Sequence, residues 1–325
     1  MSFLYVNPGY HNLLGSTILG SLNTLETHSG DTKVSPCHGF SITPKVVANV
    51  SCKISLGSFA DKRKGYVKFN LYFPLLSGAS CEIYLAVSVQ HTDGAYCYGA
   101  EIAYPNFYHI EGSPTLINLK RTTDTPIQDH LLPLTVNHIL FYWDWSGTST
   151  AGTILEINGA RIWKNTSSFV VPSDGYLVFG ICPASVGSCY ISDLIVSDEE
   201  IPADAQVAIL PAGNIETNME SVEGGLYTPK SGDPTWLMTP NITPLLESHL
   251  SSSKVYGLAV GANPCEVLGG GNATFTTLSK SEGTLTEHGT VTVTSAVSSF
   301  CDGWVTENTT LGDLANMQLG LKSGS

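Results

Sequence analysis

Charge is scarce in this chain: Asp, Glu, Lys and Arg make up only 13% of its 325 residues. Long surface helices draw heavily on Glu, Lys and Arg, so this scarcity argues against a helical fold. Basic residues are the rarer sign, 15 against 28 acids, which leaves a formal net charge of −13 and a pI near 5.0. An acidic surface repels phosphate backbones, and the densest basic run, Lys62-Arg63-Lys64, reads as a solvated turn between strands. The expectation is no direct nucleic-acid partner. No apolar run reaches the length of a membrane-crossing helix, so no membrane insertion is expected either. The start, MSFLYVNPGYHNLL, has no basic segment leading into a long apolar one, which predicts synthesis in the cytoplasm without a secretory signal. The cysteines at 37, 52, 81, 97, 182, 189, 265 and 301 form no Cys-x-x-Cys and no metal-knuckle spacing. They read as small buried hydrophobes of a reducing compartment. Cys182 and Cys189 flank a tight turn, and whether they pair is left open.

What is present points to β-structure. Glycine (32 residues) and proline (17) are common, Ser and Thr are abundant, and 42% apolar content suffices for a packed core. Residues 81–90, CEIYLAVSVQ, alternate well, with Ile83, Leu85, Val87 and Val89 on one face. Tyr66–Phe73 alternates over part of its length. Further strands are predicted at Ala100–Tyr104, Leu116–Lys120, Ile139–Trp145, Thr153–Asn158, Tyr176–Ile181, Cys189–Ser197 and Gln206–Leu210. Asn158-Gly159 marks a hairpin, because both residues tolerate the positive φ of a tight primed turn. Short strands separated by turn clusters, with no convincing helix, define an all-β sandwich.

The predicted organisation has three parts. Residues 1–204 form the sandwich. Residues 205–253 supply one strand and then an irregular, proline-interrupted linker or arm. Residues 254–325 form a small β-rich C-terminal domain, with strands at Val255–Val260, Ala273–Leu278, Thr290–Val297 and Asn316–Lys322. This last part is too small for a large core of its own, which predicts docking on the first domain or on a neighbouring chain.

The run HILFYWDWSGTSTAGTILEINGARIW, followed by GYLVFGICPASVGSCYISDLIVSDEE, resembles the back half of concanavalin A-like jelly rolls, the laminin-G-like and lectin/glucanase-like sandwiches. Residues 189–236 are similar to a group of tailed-phage virion proteins built on such a sandwich. There a strand like Tyr190–Val196 leads through a polar loop into one like Ala205–Pro211 and then a Gly- and Thr-rich arm. Trp304-Val305-Thr306 and the closing Leu311–Lys322 also resemble that group's C-terminus. Two departures stand out. The group's Gly-Asp before the second strand is Ala203-Asp204 here, and the Asp-rich stretch before its final strands is thin. The resemblance implies a concanavalin A-like jelly-roll sandwich in a virion, with other virion proteins as partners.

The chemistry such sandwiches carry elsewhere is mostly missing. Retaining glucanases need two carboxylates about 5–5.5 Å apart, which a strand supplies as closely spaced same-face acids. Here Glu156 stands alone on its strand and Asp198-Glu199-Glu200 sits at a strand end. Legume-type lectins use a dense acidic metal loop, and His91-Thr92-Asp93-Gly94 with Asp124 is the nearest material. No cofactor is expected, although a structural calcium held by Asp93 or Asp174 with backbone carbonyls stays open. Gly-x-Ser-x-Gly, His-Glu-x-x-His and P-loop patterns are absent, and Gly269-Gly270-Gly271 reads as a turn. No catalytic residue is named.

Recognition falls to aromatics. Phe141, Trp143 and Trp145 share a strand face, where the simplest reading is core, but Trp145 lies at the strand end beside Ser146-Gly147. Trp145 and Asp144, with Tyr98 from an aromatic-rich loop region, are the candidate glycan-binding residues. The reading that follows is a non-enzymatic phage virion component of tail, baseplate or capsid. It is expected to be a homo-oligomer that mediates assembly and contacts a host-surface glycan through many weak sites. The alternatives are a freestanding carbohydrate-binding lectin module and, behind it, a glycoside hydrolase.

Overall fold

A computed structural model describes residues 3–7, 16–19, 24–28, 39–43, 50–57, 64–72, 84–91, 97–103, 106–112, 118–121, 135–144, 152–165, 175–181, 189–202, 205–208, 210, 212–222, 226–228, 235–265, 271–294 and 298–324. The chain divides into two compact units, residues 6–207 and residues 208–325 together with 1–5. The described residues are almost wholly β, as the composition predicts.

In chain order the first unit holds the end of β1 (Phe3–Asn7), then β2 (Ser16–Leu19), β3 (Thr24–His28), β4 (Gly39–Thr43), β5 (Val50–Gly57), β6 (Lys64–Tyr72) and β7 (Tyr84–His91). It continues with β8 (Cys97–Ala103), β9 (Asn106–Gly112), β10 (Asn118–Arg121), β11 (Asn137–Asp144), β12 (Gly152–Ile157), β13 (Ala160–Asn165), β14 (Gly175–Ile181) and β15 (Cys189–Ser197). One antiparallel sheet runs β10-β9-β8-β7-β14-β5-β2, and a second carries β13-β12-β11-β6-β15 with β4 joined to β15 and β3 to β4. Consecutive strands β5 and β6, and again β14 and β15, belong to different sheets. Strands distant in sequence therefore lie side by side, the connectivity of a jelly-roll-type sandwich.

Alternation sets the faces of the second sheet. Val67, Phe69 and Leu71 of β6 pair with Phe141, Ile139 and Asn137 of β11, and Leu155 and Ile157 of β12 continue the same face. All of these are buried, Val67, Phe69, Phe141 and Ile157 completely. The Asn-Gly hairpin forms as predicted: Asn158 and Gly159 take φ of 52° and 78°, and Asn158 N–H donates to the His138 carbonyl at 2.8 Å.

The second unit is built from β16 (Ala212–Thr217), β17 (Glu220–Val222), β18 (Leu226–Thr228), β19 (Thr235–Pro240), a one-turn helix (Thr243–Leu246), β20 (Lys254–Cys265), β21 (Asn272–Ser281), β22 (Thr284–Thr294), β23 (Ser298–Thr310), a 3-10 turn (Asp313–Asn316) and β24 (Met317–Ser323). β16-β19-β24-β21-β22 form one sheet, and β20 pairs with β23. Ile242, Leu258, Trp304, Leu311, Leu314 and Leu319 close a core, with Leu210, Leu245, Val255, Val260 and Met317 packed around it.

Two expectations change here. The stretch 212–240, read as an irregular arm, carries strands: β19 hydrogen-bonds directly to the C-terminal β24, β16 pairs with β19, and β17 pairs with β18. The prolines punctuate these strands: Pro240 closes β19 and Pro244 sits in the first turn of the helix, positions where a missing N–H costs little. The core of this unit thus draws on residues from both sides of position 254, which is how so short a C-terminal stretch gains an interior. Residues 206–208 and 210 are also not a strand, although Gln206–Leu210 was predicted as one. The Val207 N–H donates to a side-chain carboxylate, Asp193 Oδ1, at 3.2 Å.

Candidate functional site

The sequence-predicted glycan residues do not gather on one sheet. Asp144 closes β11, opposite Gly152 and Lys64. Tyr98 lies in β8, opposite Val89 and Glu111, in the other sheet of the same unit. Trp145 lies outside the described residues, as do Asp93, Asp124, Asp174, Cys182, Gly269 and Gly270. Among the described residues no group of three or more His, Cys, Asp or Glu side chains could hold a metal ion.

What the structure does bring together is a polar network on the outer face of β6 and β15, opposite the apolar one. β6 alternates Tyr66, Lys68 and Asn70 outward against Val67, Phe69 and Leu71 inward, yet the outward side chains are buried too. Residues after β15 reach one of them. Lys68 Nζ donates to the carbonyls of Pro202 at 3.1 Å and Ala205 at 2.5 Å. Asp193 is 2% exposed and adopts φ of 50°, where the β15–β6 register breaks between Ser192 and Ile195. That bulge turns its carboxylate toward the Asn70 amide at 2.5 Å, the Ser192 hydroxyl at 3.3 Å and the Val207 N–H. Two charged side chains thus tie Pro202, Ala205 and Val207 to the sheet by their backbone groups. Ile201 and Val207, each 8% exposed, are buried alongside.

The network continues to the surface. His138 Nδ1 lies 2.8 Å from Asn70 Oδ1, and the fully buried Asn137 donates to the carbonyls of Leu71 and Thr135 while accepting from Asn158 Nδ2 at 3.0 Å. Further along this face of β11, Tyr142 stacks on Tyr66 with centroids 5.4 Å apart, and Lys64 Nζ lies 5.3 Å from the Tyr66 ring centre. Glu156 of β12 pairs with Arg161 of β13 at 3.5 Å. Burial raises the Tyr142 phenol above its ordinary value, with the Arg161 charge opposing and Glu156, Tyr66 and Glu200 adding to the rise. Glu156, read as a solitary acid, is therefore one half of a surface ion pair. The Asn-Gly turn was the one signal that could have located this corner. Nothing in the alternation of β6 announces a buried lysine.

The second unit holds a smaller cluster. His288 of β22 stacks flat on Trp304 of β23, 3.8 Å between centroids and 7° between planes, with the Ser279 hydroxyl 2.7 Å from Nε2. Burial lowers the His288 pKa below its ordinary value, and Asp302 opposes that shift. The Asp302 carboxylate accepts from the Thr277 hydroxyl.

No known protein family matches the sequence, and no curated protein matches it significantly. Several solved structures align with part of this chain. A carbohydrate esterase from the Shiga toxin-encoding bacteriophage phi24B aligns at 10% identity with a TM-score of 0.42, over 57% of this chain and 91% of that one. The receptor-binding domain of botulinum neurotoxin type G aligns at 11% identity with a TM-score of 0.41 over 62% of this chain, which spans about half (48%) of the neurotoxin chain. A carbohydrate-binding module from Bacillus subtilis aligns at 8% identity with a TM-score of 0.36, over 56% of this chain and 94% of that one.

Proposed function

We propose that this chain is a non-enzymatic component of a tailed-phage particle, a β-sandwich that assembles in several copies and contacts a host-surface glycan through many weak sites. The observation that carries the reading is what the buried charges of the first unit do. Lys68 and Asp193 hold the backbone groups of Pro202, Ala205 and Val207 in place, so this charged corner serves as a fastening. That corner coincides with the stretch whose sequence resembles phage virion proteins. Catalytic carboxylates must meet substrate and solvent, whereas Asp193 is enclosed by three donors of its own chain.

Weak contacts suit such a scaffold. Linking several binding units raises overall avidity by about 100- to 10,000-fold without any new contact. Light scattering of the purified chain tests the assembly part, a symmetric oligomer being the expected result. Labelling of phage particles with antibody to the chain tests the location. A monomer that never appears on particles would remove the proposal. Release of reducing ends from a polysaccharide, abolished by one Glu→Gln change, would replace it with a hydrolase.

A further inference from the structure

We infer that the outer face of β11–β13 is a carbohydrate-contact strip, with the imidazole of His138 fixed as a hydrogen-bond acceptor at one end and the Tyr142 ring at the other. This inference rests on the glycan-contact part of the proposed function and gives it residues and a ligand class. The register defines the strip. His138, Leu140 and Tyr142 follow one another on the same face of β11, Leu140 lies opposite Glu156 of β12, and Glu156 lies opposite Arg161 of β13. Whereas the neighbouring part of this face, at Lys68 and Asn70, is closed over, His138 and Arg161 are exposed and Leu140, Tyr142 and Glu156 are half-buried.

The hydrogen-bond chain beneath the strip determines the state of His138. Asp193 accepts only, so the group Asn70 turns to it is its NH2. Asn70 therefore offers its Oδ1 to His138, and an amide oxygen only accepts, so His138 Nδ1 must carry a proton and donate. In the neutral ring Nε2 then holds a lone pair on an exposed side chain. A buried carboxylate thus presets a surface imidazole as an acceptor, as an outer-shell carboxylate orients a metal-bound histidine. Glu156 adds acceptors and Arg161 adds donors in a fixed fork, 3.5 Å apart. Leu140 and the edge of the Tyr142 ring supply apolar surface for C–H faces.

Hydroxyl donors and acceptors on neighbouring carbons, backed by an apolar face, are what a pyranoside presents. From His138 to Tyr142 the strand rises about 13 Å, room for roughly two to three sugar units. The ligand class is a neutral or weakly charged oligosaccharide lying along β11, because acid and base stand paired on the strip and no net charge selects a strongly ionic chain.

The test couples the full-length chain to beads in many copies and probes it with a panel of bacterial surface glycans and neutral oligosaccharides. Wild type is compared with Arg161→Ala, Tyr142→Ala and Tyr142→Phe. The strip predicts at least a tenfold loss of apparent affinity for Arg161→Ala and Tyr142→Ala, and a smaller loss for Tyr142→Phe, with unchanged melting of Arg161→Ala. Wild-type binding that all three variants keep overturns the strip and leaves the glycan reading standing with its site elsewhere. No binding by wild type on any surface overturns both. Nitrogen NMR of the His138 ring supplies a check that needs no ligand: in the neutral ring the proton is expected on Nδ1 with Nε2 bare, and the opposite tautomer would sink the inference.

Discussion

Replacing Asp193 by asparagine changes a single oxygen to an amide in a residue type that also tolerates positive φ, so the φ of 50° is preserved. The surroundings are not. Three groups donate to this carboxylate: the Asn70 amide, the Ser192 hydroxyl and the Val207 N–H. An asparagine side chain has one acceptor oxygen where the carboxylate has two, so its NH2 must face at least one donor. Ser192 can rotate its hydroxyl away, and Asn70 can flip only by turning its NH2 toward His138. One buried donor is left unsatisfied, costing about 1–3 kcal/mol, and at least one charge-assisted bond falls to neutral strength. Together the expected loss is about 3 kcal/mol, which for a unit of this size lowers its melting temperature by roughly 6–12 °C. Hydrogen exchange gives the local reading, because the Val207 amide should lose protection before the amides of β6 and β11 do. Stability unchanged within about 0.5 kcal/mol, with Val207 still protected, would refute the claim that this carboxylate fastens residues 202–207.

Other consequences are open to measurement. Because burial depresses the His288 pKa in the folded chain, the unfolded chain binds this proton more readily. Stability from this group is therefore full above the unfolded histidine value of about 6.5 and is lost as pH falls from there toward the folded pKa. Denaturant melts of the second unit at pH 7.5 and pH 5.5 should show this loss in wild type, and His288→Gln should reduce it. Gly320→Ala would drive a methyl group into the Trp236 carbonyl on the paired strand, so a loss of several kcal/mol or failure to fold is expected, judged by circular dichroism and soluble yield. Gly159→Ala meets no atom within 4 Å and should cost only the strain of its φ of 78°, about 1 kcal/mol in a thermal melt. Lys68→Met should release residues 202–205 to proteolysis while leaving β6 and β11 protected, since two carbonyls lose their donor but the inward face keeps its packing.

Much of the strand pattern is legible in the sequence because alternation and turn chemistry act locally. β15 falls at Cys189–Ser197 as predicted, and the Asn158-Gly159 turn needs no tertiary information. The corner around Lys68 is illegible for the same reason in reverse. Lys68 and Asn70 sit at the polar positions of an alternating strand, which reads as a solvent face. Lys68 is held by carbonyls more than 130 residues away in sequence. Asp193 is hidden differently, since a bulge at that position breaks the period that would place it. The strands from β16 to β19 are obscured in the sequence by nearby prolines, whose effect depends on where each falls: Pro240 at the end of β19 and Pro244 in the first turn of the helix. The core of the second unit gathers residues from Ile242 to Leu319, a spacing with no local signature.

The most direct test of the central claim is immunogold electron microscopy of particles produced by a tailed phage that encodes this chain. The account predicts label at a symmetric position on the tail, baseplate or capsid. Unlabelled particles that still assemble and adsorb when the coding sequence is deleted would contradict it.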